Sequence, residues 1–215
     1  MGAGLIQLSA YGSQDIYLTG NPQITFFKIV YRRHTNFSME IAEQSISGTP
    51  SNGGISDIKI SRIGDLLTKI YITSTSDGAD ITNGSAILSR ADIEIGGQLI
   101  DRQKVEWMNI YNELTIPRSK SHAFKYMIGD FGTSGVNTKS GVRMIQVPLN
   151  FWFCRNPGLA LPLIALQYHE VKINFVFGTL NDIATGITTE KSVKFYVDYI
   201  YLDTDERRRF AQVSH

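Results

Sequence analysis

The chain carries a single cysteine, Cys154, in 215 residues. That excludes an intrachain disulfide and a multi-cysteine metal site, so packing alone must hold the fold, which suits a reducing compartment. Charge of one sign is scarce too: 21 Lys and Arg against 20 Asp and Glu leave a net charge of +1. A chain that neutralises many phosphates shows a basic excess or a dense basic patch, so no direct nucleic-acid contact is expected. No apolar run reaches the ~20 residues that a bilayer helix requires. The opening MGAGLIQLSAYG lacks the basic start and long apolar core of a signal peptide. It begins like a myristoylation site, but Ile6 stands where Ser or Thr is required.

Reactive constellations are equally sparse. The four histidines, His34, His122, His169 and His215, form no closely spaced pair. His169 and Glu170 are neighbours, and adjacent strand residues point to opposite faces, so neither metal nor cofactor is expected. Gly132-Thr133-Ser134-Gly135 with Lys139-Ser140 lacks the Gly-Lys-Ser/Thr adjacency of a phosphate loop. No Gly-x-Ser-x-Gly elbow occurs. Cys154 follows bulky apolar residues with nothing nearby to lower its pKa, which predicts an inert thiol. No nucleophile, base and oxyanion site assemble, so the chain reads as a non-enzyme. Asn36-Phe37-Ser38 and Asn83-Gly84-Ser85 match the glycosylation sequon. Asn36 reads as structural; Asn83, in a loop, is the candidate position should the chain meet a glycosylation system.

What the sequence has is alternation. Hydrophobic content is 42%, aromatic content 11%, and there are 19 glycines, a composition of strands and tight turns. The densest stretch runs from Val142 to Phe177. Ile145, Val147, Leu149, Phe151 and Phe153 occupy one phase of a period-two pattern, predicting a strand to Phe153. Asn156-Pro157-Gly158 stops it. Leu159 to Leu166 is apolar all round and predicts a buried helical turn starting near Pro162, where a missing N–H costs little. Val171, Ile173, Phe175 and Phe177 then resume the strand pattern. The predicted core of this unit is Phe151, Phe153, Leu161, Leu163, Leu166 and Phe175.

Around it, strands are predicted from Phe37 to about Ile46, around Ile58 and Ile60, from Leu66 to Thr75, and over Ala91, Ile93 and Ile95. Gly96-Gly97 turns the last of these into Gln98–Ile100. A further strand carries Val193, Phe195, Val197, Tyr199 and Tyr201. Asp101 predicts the cap of a helix from Arg102 to about Leu114, with Trp107, Ile110, Tyr111 and Leu114 on one face. Arg118 to Met127 is ambiguous. Residues 1–36 read as an arm with a short helix, in which Tyr17, Phe26, Phe27, Tyr31, Arg32 and Arg33 are candidate assembly contacts. So apolar a run outside a strand needs a cover. Loops are predicted at Gly48–Gly54, Asp77–Gly84, Gly129–Gly141 and Gly178–Thr189. Strands without interleaved long helices predict an all-β, antiparallel two-sheet sandwich. The eight-stranded jelly roll, with short inserted helices, is one form; an immunoglobulin-like sandwich is the other, without its Cys…Trp…Cys spacing.

Three passages go further. Tyr17-Leu-Thr-Gly-Asn-Pro-Gln-Ile-Thr-Phe-Phe-Lys28, continued by Tyr31-Arg-Arg-His-Thr-Asn-Phe37, resembles the N-terminal signature of the major capsid proteins of nucleocytoplasmic large DNA viruses. Phe153-Cys-Arg-Asn-Pro-Gly-Leu-Ala-Leu-Pro-Leu-Ile-Ala-Leu-Gln-Tyr168 resembles the same family's central signature. Asp203-Thr-Asp-Glu-Arg-Arg-Arg-Phe210 is similar to its interdomain segment. The resemblance implies a double jelly roll of which this chain is the N-terminal half. Residues 1–36 are then the arm, 37–202 the jelly roll, and 203–215 the start of a connection to a second jelly roll. It also implies homotrimeric pseudo-hexagonal capsomers in an icosahedral capsid lattice, with minor capsid proteins and an internal membrane nearby. Assembly in the host cytoplasm is implied with it. The rival reading is a carbohydrate-binding jelly-roll module, which needs an aromatic platform; Tyr196 and Tyr199 fall on opposite faces of their strand.

Overall fold

Period-two alternation becomes strand where one phase can be buried against a second sheet, and here two sheets bury each other. A computed structural model describes residues 6, 12–14, 17, 20, 27, 34–48, 50–76, 84–129, 143–178 and 192–212. Contacts divide the chain into two units, Met1–Thr35 and Asn36–His215. In the first, the Tyr17 amide donates to the Gln14 carbonyl at 3.2 Å. Phe26, Tyr31, Arg32 and Arg33 lie outside the described residues, as does Asn83.

The second unit contains nine described strands: β1 (Phe37–Gln44), β2 (Ile55–Lys59), β3 (Leu66–Ser76), β4 (Leu88–Ile95), β5 (Gln98–Lys104), β6 (Arg143–Pro148), β7 (Leu161–Pro162), β8 (Val171–Phe177) and β9 (Ser192–Leu202). Its helices are α1 (Val105–Thr115), α2 (Arg118–Ile128) and α3 (Thr204–Gln212). One sheet runs β1-β9-β3-β6, with β7 also on β3; the other runs β2-β8-β4-β5. Every pairing is antiparallel. This interleaving of early and late strands in two facing sheets is the jelly-roll topology. The inward phases of both sheets form one core.

Four expectations are corrected. The strand predicted to Phe153 ends at Pro148. Leu149 still donates to the Ile70 carbonyl at 3.0 Å. The chain then leaves the ladder, and Trp152–Cys154 forms a 3-10 turn. Phe151 and Phe153 keep the inward phase because both are drawn into the core, not because they belong to a strand. Second, Leu161–Pro162 is a short strand on Leu66–Leu67, and only after it does the predicted turn appear, with Ala165 and Leu166 amides on the Pro162 carbonyl. Leu159 is exposed, so the apolar run is buried only in part. β6 and β7 thus occupy the same edge of β3, and residues 149–160 are an excursion from that edge into the core.

Third, the helix predicted from Arg102 starts at Val105. Asp101 stays in β5, opposite Ile93, because the ladder with β4 continues to Lys104. Fourth, β1 ends at Gln44 rather than near Ile46, although an isolated bridge joins Ser47 to Asp57. The ambiguous stretch is α2. It stops at Gly129, whose φ of 73° is the left-handed conformation that closes helices and that glycine adopts without strain.

Candidate assembly surfaces

The core unit sets the rigidity of the sandwich. Phe151, Phe153 and Phe175 are fully buried; Leu161 and Leu163 are buried, and Leu166 packs against them half-buried. The Phe151 and Phe153 rings lie 5.7 Å apart and nearly parallel, and Trp152 meets Phe153 edge-on at 5.0 Å. Phe175 on β8 meets Phe195 on β9 at 4.4 Å, bridging the sheets. Arg62 fastens the turn after β7: its guanidinium donates to the carbonyls of Leu166 (2.6 Å), His169 (2.7 Å) and Gln167. Sequence reading missed Arg62, and no local signal marks a residue whose partners lie more than a hundred positions away.

The thiol of Cys154 is pushed up to about 12 by burial, so it stays protonated and is no nucleophile. Among the described residues no group of His, Cys, Asp or Glu can hold a metal ion, and no helix is long and apolar enough to cross a membrane. The aromatic pair considered for carbohydrate is split. Tyr199 is wholly buried, its hydroxyl donating to the Ser61 carbonyl at 2.7 Å, while Tyr196 lies on the opposite phase.

Both outward faces mix polar pairs with exposed apolar residues. On the β2-β8-β4-β5 sheet, Lys59 pairs with Glu170 (3.0 Å) and Lys172 with Asp57 (3.5 Å). Asn174 donates to Glu94 at 2.6 Å. Asp92 is held by Arg90 (3.1 Å) and Arg102 (2.9 Å). The exposed pairs among these each contribute ~0–1 kcal/mol. Asp92 is itself buried beneath its two arginines, and the same sheet exposes Ile55, Leu99 and Ile100. On the other sheet, β1 points Phe37, Met39 and Ile41 outward, 64%, 54% and 61% exposed. Tyr17 and Phe27 of the first unit are exposed as well.

A second apolar surface is α1. Its stripe of Trp107, Ile110 and Leu114 points outward, and Met108 and Asn112 face the core. The inward face is tied down by Asn150, whose side-chain amide donates to Asn112 at 2.8 Å while its backbone amide donates to Gln103. Arg155 lies over the Tyr111 ring at 4.8 Å, and Trp107 packs on the same ring.

At the far end of β9, the Asp65 carboxylate accepts the Leu202 amide at 2.8 Å and pairs with Arg207 of α3 at 3.0 Å. The segment after the sandwich therefore starts from a fixed point. At the opposite end, Ser76 pairs with Arg143 and Thr75 with Ser192. The ends of β3, β6 and β9 thus lie side by side.

A sandwich with an inert core and exposed apolar residues suits a building block, and the comparisons agree. A family model described as "Major capsid protein N-terminus" matches residues 25–203. This chain belongs to the major capsid protein family. Family members are structural proteins, not enzymes. The major capsid protein of Pyramimonas orientalis virus is 54% identical over 228 residues, covering 100% of this chain and 57% of that protein. That of Paramecium bursaria Chlorella virus 1 is 42% identical over 229 residues, covering 100% and 51%. The chain spans about half the length of these curated relatives. Among solved structures, the PBCV-1 virus capsid subunit superposes with a TM-score of 0.75 at 38% identity, over 89% of this chain and 48% of that one. Faustovirus major capsid protein shares the fold, with a TM-score of 0.63 at 12% identity, over 93% and 60%. The carbohydrate-binding alternative has no support among these relatives.

Proposed function

We propose that the chain is a structural part of an icosahedral viral capsid: the N-terminal jelly roll of a double jelly-roll major capsid protein. The observation that carries this reading is the family match over residues 25–203 together with the 0.75 superposition on a capsid subunit. The geometry supports it in kind, because a shell subunit needs a rigid body with adhesive surfaces and no reactive pocket. In this reading the protein forms homotrimeric, pseudo-hexagonal capsomers that tile the capsid lattice, with minor capsid proteins and an internal membrane nearby. Assembly takes place in the host cytoplasm and the product resides in the virion.

Residues 1–36 serve as an assembly arm through Tyr17, Phe26, Phe27, Tyr31, Arg32 and Arg33. Residues 37–202 are the jelly roll, and 203–215 begin the connection to a second one. The fixed start of α3 at Asp65 favours a defined exit in that direction. The loops Gly48–Gly54, Asp77–Gly84 and Gly129–Gly141 are the candidate exterior or capsomer-to-capsomer surfaces, with Asn83 as the candidate glycan position.

The test is light scattering and electron microscopy of the full-length protein. Particles of three times the subunit mass, and hexagonal arrays of them, are expected. A protein that stays monomeric at every concentration and is absent from purified virions overturns the reading. Deleting residues 1–30 should weaken array formation; unchanged arrays refute the arm.

A further inference from the structure

The surface left over by this account is α1. An amphipathic helix on a sandwich normally turns its apolar stripe to the core. Here the core takes Met108 and Asn112, and Trp107, Ile110 and Leu114 are 45%, 55% and 79% exposed. The helix is not loosely held, because Asn150 and Arg155 fix its inner and lateral sides. A rigid cluster of Trp107, Tyr111 and Arg155 also has the composition of interface hot spots, in which Trp, Tyr and Arg predominate.

Charge says what fits it. The stripe is flanked by Glu106 and Glu113, both exposed, and α1 has no basic residue. The next helix, α2, is the reverse: Arg118, Lys120 and Lys125 are exposed, it has no acidic residue, and it carries Tyr126 at 49% exposure. One helix is acidic and apolar, the other basic with an exposed aromatic. Each offers what the other lacks. A surface and its complement on the same chain make a heterologous contact, which closes into rings when the rotation allows.

We propose that α1 of one copy of this chain docks on α2 of the next, with Trp107, Ile110 and Leu114 as the apolar centre. Glu106 and Glu113 face Arg118 and Lys125 at the rim. The inference rests on the capsid reading for the identity of the partner, a second copy, and adds the surface and its head-to-tail sense.

The experiment introduces one cysteine at a time into the full chain with Cys154 replaced by Ser. L114C and Y126C in the C154S background are purified separately, mixed and oxidised; the C154S chain is the blank. A disulfide-linked pair is expected in the mixture and not in either variant alone. Cross-linking of L114C to itself as efficient as in the mixture overturns the proposal, as does no cross-link in the mixture. Charge reversal gives a second readout. E113K and K125E should each weaken self-association by ~tenfold or more, and the double variant should recover it. Singles that associate like the native chain, or a double no better than either single, overturn it. Electron microscopy of the same variants in the full-length protein separates the two readings. Intact arrays with no cross-link sink this surface and leave the capsid assignment standing.

Discussion

Phe175 and Phe195 meet at 4.4 Å between ring centroids, one from each sheet, and neither is exposed. This contact joins the layers at the centre of the core, so its loss leaves a cavity that two relatively stiff sheets cannot collapse around. Phe175→Ala is expected to cost about 3–5 kcal/mol in denaturant unfolding. Phe37→Ala, at an outward position of an edge strand, should fall within about 0.5 kcal/mol. A Phe175→Ala variant as stable as Phe37→Ala would contradict the core described above.

Arg62 donates to three backbone carbonyls, those of Leu166, Gln167 and His169. Without it those acceptors lose a charged donor, and the turn between β7 and β8 loses its clamp. Arg62→Ala is expected to destabilise the chain by about 1.5–3 kcal/mol, the range for hydrogen bonds to charged groups. Amide exchange should rise first across residues 163–170. Uniform exchange changes, with no local maximum there, would count against the clamp.

These two residues also mark what the sequence makes legible. Phe175 and Phe195 are read directly, because each sits in a strand whose alternate residues all share its phase. The partners of Arg62 cannot be read, since they are brought near only by the jelly-roll crossing. The Phe151 and Phe153 pattern is read correctly as burial but wrongly as strand; period two is also satisfied by an excursion that returns each aromatic ring to the core. The stripe on α1 is visible in the sequence, yet its direction is not. The rule that apolar faces turn inward fails where Met108 and Asn112 take the inward positions. The sequence places the onset of α1 too early, because Asp101 has the chemistry of a cap, while the Arg102–Asp92 pair across the ladder keeps that stretch in strand. Asp65, which anchors the exit to α3, carries no sequence signal at all.

Gly84 and Gly178 are places where backbone approaches backbone. A Cβ on Gly84 would collide with the Ile128 carbonyl at the end of α2, and one on Gly178 with the Ala86 carbonyl. Because the obstacle is main chain in both cases, it cannot swing aside as a side chain would. Gly84→Ala and Gly178→Ala are therefore expected to lower the melting temperature by several degrees, in line with about 1–3 kcal/mol of overpacking. Gly97→Ala meets no atom but has a φ of 82°, so it should show only the smaller cost of a strained backbone. Equal melting temperatures for Gly84→Ala and the native chain would refute the close approach.

Asp198 lies on the outward phase of β9, between Ile41 of β1 and Lys69 of β3. It is only 8% exposed, and its Oδ1 has no hydrogen-bond partner. Burial raises its pKa, with Lys69 acting in the opposite direction. A carboxyl whose folded pKa lies above its unfolded value favours folding while protonated. That contribution is complete below the unfolded pKa, about 4, and is lost as pH rises through the higher folded value. Asp198→Asn removes the ionisation and keeps the shape. At about pH 7 the variant should be more stable than the native chain, and the difference should shrink toward zero below about pH 4. Paired urea titrations across that range test it. A variant less stable at neutral pH would mean that the charge is compensated, with Lys69 outweighing the cost of burial.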